Sequence, residues 1–191
     1  VTVLWPVYLA IASIAGLMMM PATQVPFVLA SNGIDDPIIR SQVIASSALL
    51  SIATAALFPF IRSRVGERGT MLLILAFYAA GTAILAASRD AITTAFGCVC
   101  LGTATGLFTP HFSSLIINRT EPAVRGRAIG TMFGAIFLGE FISPLVVLPL
   151  RRLLGVHGGF APMSIALALA FVAVLIRRAT PAASKRRPAE A

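Results

Sequence analysis

Of the 191 residues, 58% are hydrophobic and only 12% are charged, and the mean hydropathy is +0.92. Soluble domains carry about 25% charged residues, so the composition excludes an ordinary soluble globule and points to a membrane protein. The net charge of +8 does not mark a nucleic-acid binder, because the basic residues form short clusters between apolar runs and no stripe interleaved with exposed aromatics.

A helix crosses the hydrocarbon layer in about 20 residues. Six segments reach that length with ragged ends: 4–30, 41–61, 70–88, 91–117, 128–150 and 156–176. The expected fold is therefore an all-α membrane bundle of six helices over residues 1–178. Residues 179–191 turn to Ala, Pro, Lys and Arg, which cannot bury apolar surface and are expected to form a disordered basic tail. Lys185, Arg186 and Arg187 in that tail suit anionic lipid headgroups. The chain starts at Val1 and enters an apolar run too long for a signal peptide, without a charged n-region or cleavage site. An N-terminal part ahead of Val1 is expected.

The segments differ in polarity. The first carries Ser13 and Gln24 on one face, and Gln24 could bind a substrate or bridge helices. The second places Ser47, Ser51 and Thr54 at i, i+4 and i+7, a single stripe. The third is almost wholly apolar and is read as peripheral, with Leu75 facing lipid. The fourth combines Gly102 and Gly106, four apart, with Thr103, Thr105, Thr109 and His111. Its Cys98 and Cys100 point to nearly opposite faces and read as small apolar side chains. The fifth repeats glycine at Gly126, Gly130 and Gly134, a spacing that lets helix backbones approach closely. The sixth is apolar and peripheral, with Leu169 facing lipid. Polar side chains avoid lipid, so segments one, two, four and five are expected to share a polar interior. Prolines at Pro21, Pro26, Pro59, Pro110 and Pro144 interrupt helical hydrogen bonding and favour kinks.

Glu140 stands alone among apolar residues in the fifth segment. A charge at mid-bilayer depth is costly unless paired, hydrated or neutralised. At about 100° per residue it falls on the same broad face as Gly126, so it is expected to face protein if the glycines do. Three roles are open: a proton-coupling carboxyl, a contact for a cationic substrate, or a neutral hydrogen-bonding group. His111 could relay protons, since imidazole titrates near neutral pH, or sit as a buried neutral ring. Basic residues divide unevenly: eleven of the 15, including Arg64, Arg68, Arg125 and Arg127, fall on one side of the six spans, and Arg40, Arg89, Arg151 and Arg152 on the other. The positive-inside rule then places both ends of the segment in the cytoplasm.

Two stretches carry a family resemblance. The sequence from Pro59 to Arg68 resembles the loop signature G-x-x-x-D-R-x-G-R-R of the major facilitator superfamily. Arg64, Gly66 and Arg68 match it, while Pro59, Ser63 and Glu67 replace a glycine, the aspartate and an arginine. Pro122 to Gly130, with Arg125 and Gly126, is similar to the P-x-x-x-R-G-x-A-x-G entry to the fifth helix of a facilitator half. Leu138 to Pro144 resembles the L-G-Q-F-x-S-P segment of efflux-type members, with Glu140 at the glutamine position. The resemblance implies a two-halved, twelve-helix transporter of which this chain is the second half. It further implies that Arg64, Gly66, Arg68, Arg125 and Gly126 form a gate motif, although the arginines also serve as topology anchors. The function it implies is secondary active transport of a small molecule, as proton-coupled drug or metabolite efflux (antiport). The partners would be protons, the lipid bilayer and the absent N-terminal half, in a bacterial inner (plasma) membrane. Neither a cofactor nor a metal site is expected. No G-x-S-x-G motif or metal-ligand cluster supports an intramembrane enzyme. A non-transporting six-helix scaffold is the alternative.

Overall fold

The computed structural model describes residues 4–179; the residues before them, and the basic tail with Lys185, Arg186 and Arg187, lie outside the described residues. The chain forms helices α1 (Trp5–Ser31), α2 (Pro37–Ala87), α3 (Ala91–Asn118), α4 (Arg125–Gly158) and α5 (Phe160–Ala179), with a short 3-10 turn at Pro122–Val124 before α4. Among the described residues, Trp5–Ser31, Pro37–Ala87, Ala91–Asn118 and Pro122–Gly158 are long and apolar enough to cross a membrane, and Phe160–Ile176 is a shorter apolar helix. Prolines inside α1 to α4 do not end them, as apolar surroundings allow where neighbouring groups take up the freed carbonyls.

Two helices start on aspartate caps. The Asp36 carboxylate accepts from the Ile38 amide at 2.8 Å, with Pro37 at the first helical position, where its missing N–H costs nothing. Asp90 accepts from the Thr93 amide at 2.8 Å. That backbone hydrogen bond is the main cause holding the exposed Asp90 carboxyl below its ordinary value. A depressed carboxylate stabilises the fold above the unfolded-state value and ceases to do so as pH falls through the folded-state value. Asp90→Ala is therefore expected to lower the melting temperature at pH 7 slightly, and the gap to the parent should begin to narrow as pH falls to about 4, the ordinary carboxyl value, and close only below the lowered folded-state value, where the cap itself is neutral. A gap independent of pH would show that the charge contributes nothing.

Helix α2 folds back on itself. Gly66 has φ 72° and ψ −177°, a left-handed backbone that glycine adopts without a Cβ penalty. On the limb before Gly66, Ser47 backs onto Gly102 and Ser51 onto Gly106 of α3. On the limb after it, Tyr78 reaches Thr105 and Leu85 meets Gly97. The first limb thus runs parallel to α3 and the second antiparallel to it. A similar glycine break at Gly155, φ 75°, lies at the end of α4. Helix α5 then runs antiparallel to the second limb of α2, with Ser164 donating to the Ala79 carbonyl at 3.1 Å. Helices α1 and α4 are parallel: Tyr8 donates to the Ala128 carbonyl at 3.2 Å, Gly16 meets Gly139, and Gln24 meets Arg151.

These registers define two ends. One holds Arg62, Glu67 and Arg119; the other holds His157, whose Nδ1 donates to the Leu85 carbonyl at 3.2 Å and whose Nε2 lies 3.1 Å from Ser31 Oγ. Packing is densest within two groups, α1 with α4 and α2 with α3 and α5, and thin between them. Buried hydroxyls are satisfied locally: Thr54, Thr70, Thr82 and Thr94 each donate to a carbonyl one turn back, the usual solution where water is absent.

Two sequence expectations change here. The limb at 70–87 is not peripheral throughout. Leu75 is 1% exposed and Tyr78, Thr70 and Thr82 are equally buried, because this limb lies between α3 and α5. Leu169, at 65% exposed, does face outward. Complete apolarity cannot distinguish a lipid-facing side chain from one packed against another helix. The second change concerns α4. A Cβ on Gly126, Gly130 or Gly134 would meet nothing within 4 Å, and Pro144 is also exposed. Among the described residues, these four make no close helix packing. Helix α4 instead buries Ala128, Met132, Gly139, Ser143 and Val147. Its tight crossing is at Gly139, where a Cβ would strike the Ala12 carbonyl of α1. Glycine spacing marks where a backbone can be approached, and here the approach came elsewhere on the same helix.

Candidate functional site

A half-open cleft of about 290 Å³ lies where the two helix groups meet. Helix α1 supplies Met18, Met19 and Pro21, the first limb of α2 supplies Ser47 and Ser51, and the second limb supplies Tyr78. Helix α3 adds Cys98, Gly102 and Thr105, and α4 adds Glu140. The cleft therefore brings together three residues singled out by sequence: Glu140, Ser47 and Ser51. They converge because the serine stripe of α2 is turned inward by its crossing with α3. Gly102 and Gly106 make that crossing close: a Cβ on Gly102 would run into the Ser47 carbonyl, and one on Gly106 into the Ser51 carbonyl and the Thr54 hydroxyl.

Glu140 is half-buried and lines the cleft. It follows Gly139, the residue that seats α4 against α1, so its position is set by a backbone contact. Among the described residues its carboxyl has neither an ion pair nor a hydrogen bond. Among the described residues, no Lys, Arg or His lines the cleft with it. An isolated carboxylate in a bilayer costs about 3 kcal/mol on insertion scales. This arrangement can therefore take up a proton or hold a cation.

Tyr78 and Thr105 also line the cleft, and neither stood among the candidate site residues read from sequence. Their hydroxyls are 2.7 Å apart. Thr105 stood among the polar groups of its segment, but Tyr78 lay in a segment read as peripheral, and its single hydroxyl was the available signal.

His111 and Gln24 lie outside the cleft lining. His111 is 2% exposed, stacks edge-on to Phe112 at 5.1 Å, and leaves its buried Nδ1 without a hydrogen-bond partner among the described residues. Gln24 is buried and accepts from Arg151 Nη1 at 3.5 Å, while the Arg151 guanidinium lies 3.9 Å from the centre of the Phe27 ring. Gln24 thus bridges α1 and α4.

The loop signature forms a charge cluster around Glu67, not around its arginines. Glu67 takes Arg62 at 3.3 Å and Arg119 at 2.8 Å, tying the fold-back of α2 to the end of α3. Ser63 occupies the signature's aspartate position, and the acid is supplied four residues later instead. Arg64 rests over Phe60 at 5.0 Å, and Arg125 donates to the Thr120 carbonyl at 3.3 Å. Arg68 is exposed.

Long apolar helices that enclose a cleft of hydroxyls and a carboxylate define a polytopic integral membrane protein. The chain belongs to the Major Facilitator Superfamily, whose sequence pattern it matches over residues 7–191. It is also similar to the MFS-type transporter ppzB of Metarhizium rileyi (strain RCEF 4871), at 28% identity over 170 residues. That match covers 85% of this chain and 35% of the relative's length. The family is one of transporters and not of enzymes.

Proposed function

We propose that this chain is the C-terminal six-span half of a secondary active transporter and that it moves a small molecule by proton-coupled efflux. The fold-back at Gly66 supports counting the two limbs of α2 as separate spans, and the break at Gly155 supports counting α5 as the sixth. The observation that carries the reading is the unpaired Glu140 carboxyl opening on a cleft with Ser47 and Ser51. In this mechanism Glu140 exchanges a proton as the cleft faces one side and then the other. The bundle rocks against an N-terminal half around a midplane site. The exposed α4 face, with Gly130, Gly134 and Pro144, and the exposed outer face of the first α2 limb suit contact with that half. At the Glu67 end, Arg62, Glu67 and Arg119 latch two helices, and Arg64, Arg68 and Arg125 anchor that end in the cytoplasm.

The test is transport by the full-length protein in proteoliposomes across a substrate panel, with and without an imposed proton gradient. Gradient-dependent accumulation that a protonophore abolishes is expected. Accumulation indifferent to the protonophore would exclude proton coupling, and no transport of any substrate would favour a scaffold.

Orientation has its own test. In a background lacking Cys98 and Cys100, cysteine at exposed Asp90 is expected to react with an impermeant reagent outside intact cells, and cysteine at exposed Ser63 is not. The reverse pattern would invert the topology.

A further inference from the structure

We infer that the cleft selects lipophilic organic cations, an assignment that rests on reading the cleft as the substrate site. Among the described residues, Glu140 is the only charged side chain lining the cleft, so an anion would face a carboxylate with nothing to balance it, while a cation supplies the missing partner. Close opposite charges in low dielectric interact strongly.

Ser47 gives its hydroxyl hydrogen to the Ile44 carbonyl at 2.8 Å, and Thr105 gives its own to the Leu101 carbonyl at 2.9 Å. With Thr105 committed, the Tyr78 hydroxyl is the donor in the 2.7 Å bond between them. Among the described residues lining the cleft, Ser51 holds the one hydroxyl without such a bond. The cleft thus offers acceptors and almost no strong donors. Carboxylates, phosphates and sugars need donors from their site; a cation does not.

Met18 and Met19 present thioethers, which adapt to varied shapes and make favourable contacts with aromatic rings. A carboxylate set in such a surface suits a bulky cation with aromatic or aliphatic substituents.

Tetraphenylphosphonium and tetraphenylborate share shape and differ in the sign of charge, so the pair isolates the inference. Their equilibrium binding is to be measured on the purified full-length protein, its Glu140→Asp and Glu140→Gln variants, and a Ser51→Cys variant lacking Cys98 and Cys100. Saturable phosphonium binding is expected in the parent and in Glu140→Asp, at least tenfold weaker in Glu140→Gln, with no saturable borate binding. The phosphonium is also expected to slow alkylation of Ser51→Cys while the borate does not, a readout that needs no change at Glu140. Equal phosphonium binding by parent and Glu140→Gln, borate binding as tight as phosphonium, or no phosphonium binding to the parent would overturn it. A protein that accumulates neutral substrates under a proton gradient yet fails these assays retains the transport reading and loses the cation class. One that binds the phosphonium at Glu140 but transports nothing retains the class and loses transport.

Discussion

Glu140→Gln in the full-length protein is expected to reduce gradient-driven accumulation of a neutral substrate at least tenfold while leaving downhill exchange of that substrate intact. Glutamine keeps the shape of the side chain and cannot titrate, so rocking and the binding of an uncharged substrate survive while coupling to the gradient does not. The pH dependence of uptake should flatten in the same variant. Glu140→Leu supplies the control for structure. The carboxyl makes no hydrogen bond or ion pair among the described residues, so leucine removes nothing that holds the helices. It is expected to leave the melting temperature in detergent unchanged or raised, since it also removes a polar group from apolar surroundings. Accumulation by Glu140→Gln within twofold of the parent, with the same pH profile, would eliminate the coupling role. A drop of several degrees in Glu140→Leu would point to a structural one.

Gly106→Val is expected to destabilise the folded bundle strongly, whereas Gly130→Val is expected to leave it standing. A Cβ at Gly106 points into the Ser51 carbonyl and the Thr54 hydroxyl, and neither is the movable tip of a long side chain. The helices must part, and close packing is what holds membrane helices together, because lipid is as apolar as the side chains. Overpacking of this kind costs about 1–3 kcal/mol and sometimes more, a large share of a total stability of about 5–15 kcal/mol. At Gly130 the added atoms meet open space, leaving only the helix-propensity difference of under about 1 kcal/mol. Monodispersity and thermal melting of the two purified variants measure the contrast. A well-folded Gly106→Val would mean the α2–α3 crossing is looser than described, and a collapsed Gly130→Val would mean the open face of α4 is essential to folding.

Much of the architecture was legible because apolar run length and punctuation are strong signals in a membrane chain. The turn at Gly66 and the break beside Gly155 fall inside the sequence gaps at 62–69 and 151–155 or at their edge. Three of the cleft-lining residues were legible too. A carboxyl and a hydroxyl stripe inside apolar helices have few reasons to be there, which identified Glu140, Ser47 and Ser51. Failures came where one-dimensional polarity had to stand for three-dimensional facing. Tyr78 and Leu75 lie on a limb with no ionisable residue, yet that limb is wedged between two others. Gln24 and His111 are polar and buried, as expected of site residues, but their helices turn them toward Arg151 and toward Phe112. The Gly126–Gly134 ladder shows the same limit, since the residue that binds α4 to α1 is the single Gly139, outside the repeat. Glu67 went unnoticed as an ion-pair hub because its partner Arg119 is 52 residues away in sequence.

The division of the helices into two densely packed groups has a mechanical consequence. Stiffness in such an assembly is uneven: each group resists deformation, and the seam between them is the compliant direction. The cleft lies along that seam, with Met18 and Glu140 on one bank and Ser47, Tyr78 and Thr105 on the other. A guest that spans it sets the spacing of the banks. The Gln24–Arg151 bridge is internal to one bank and moves with it, while the His157 bond to Leu85 crosses the seam at one end. Toward the Glu67 end the Ser113 hydroxyl also reaches across the seam, to Met132 Sδ at 3.7 Å, so the banks are pinned at both ends and a guest in the cleft spreads them most between those pins.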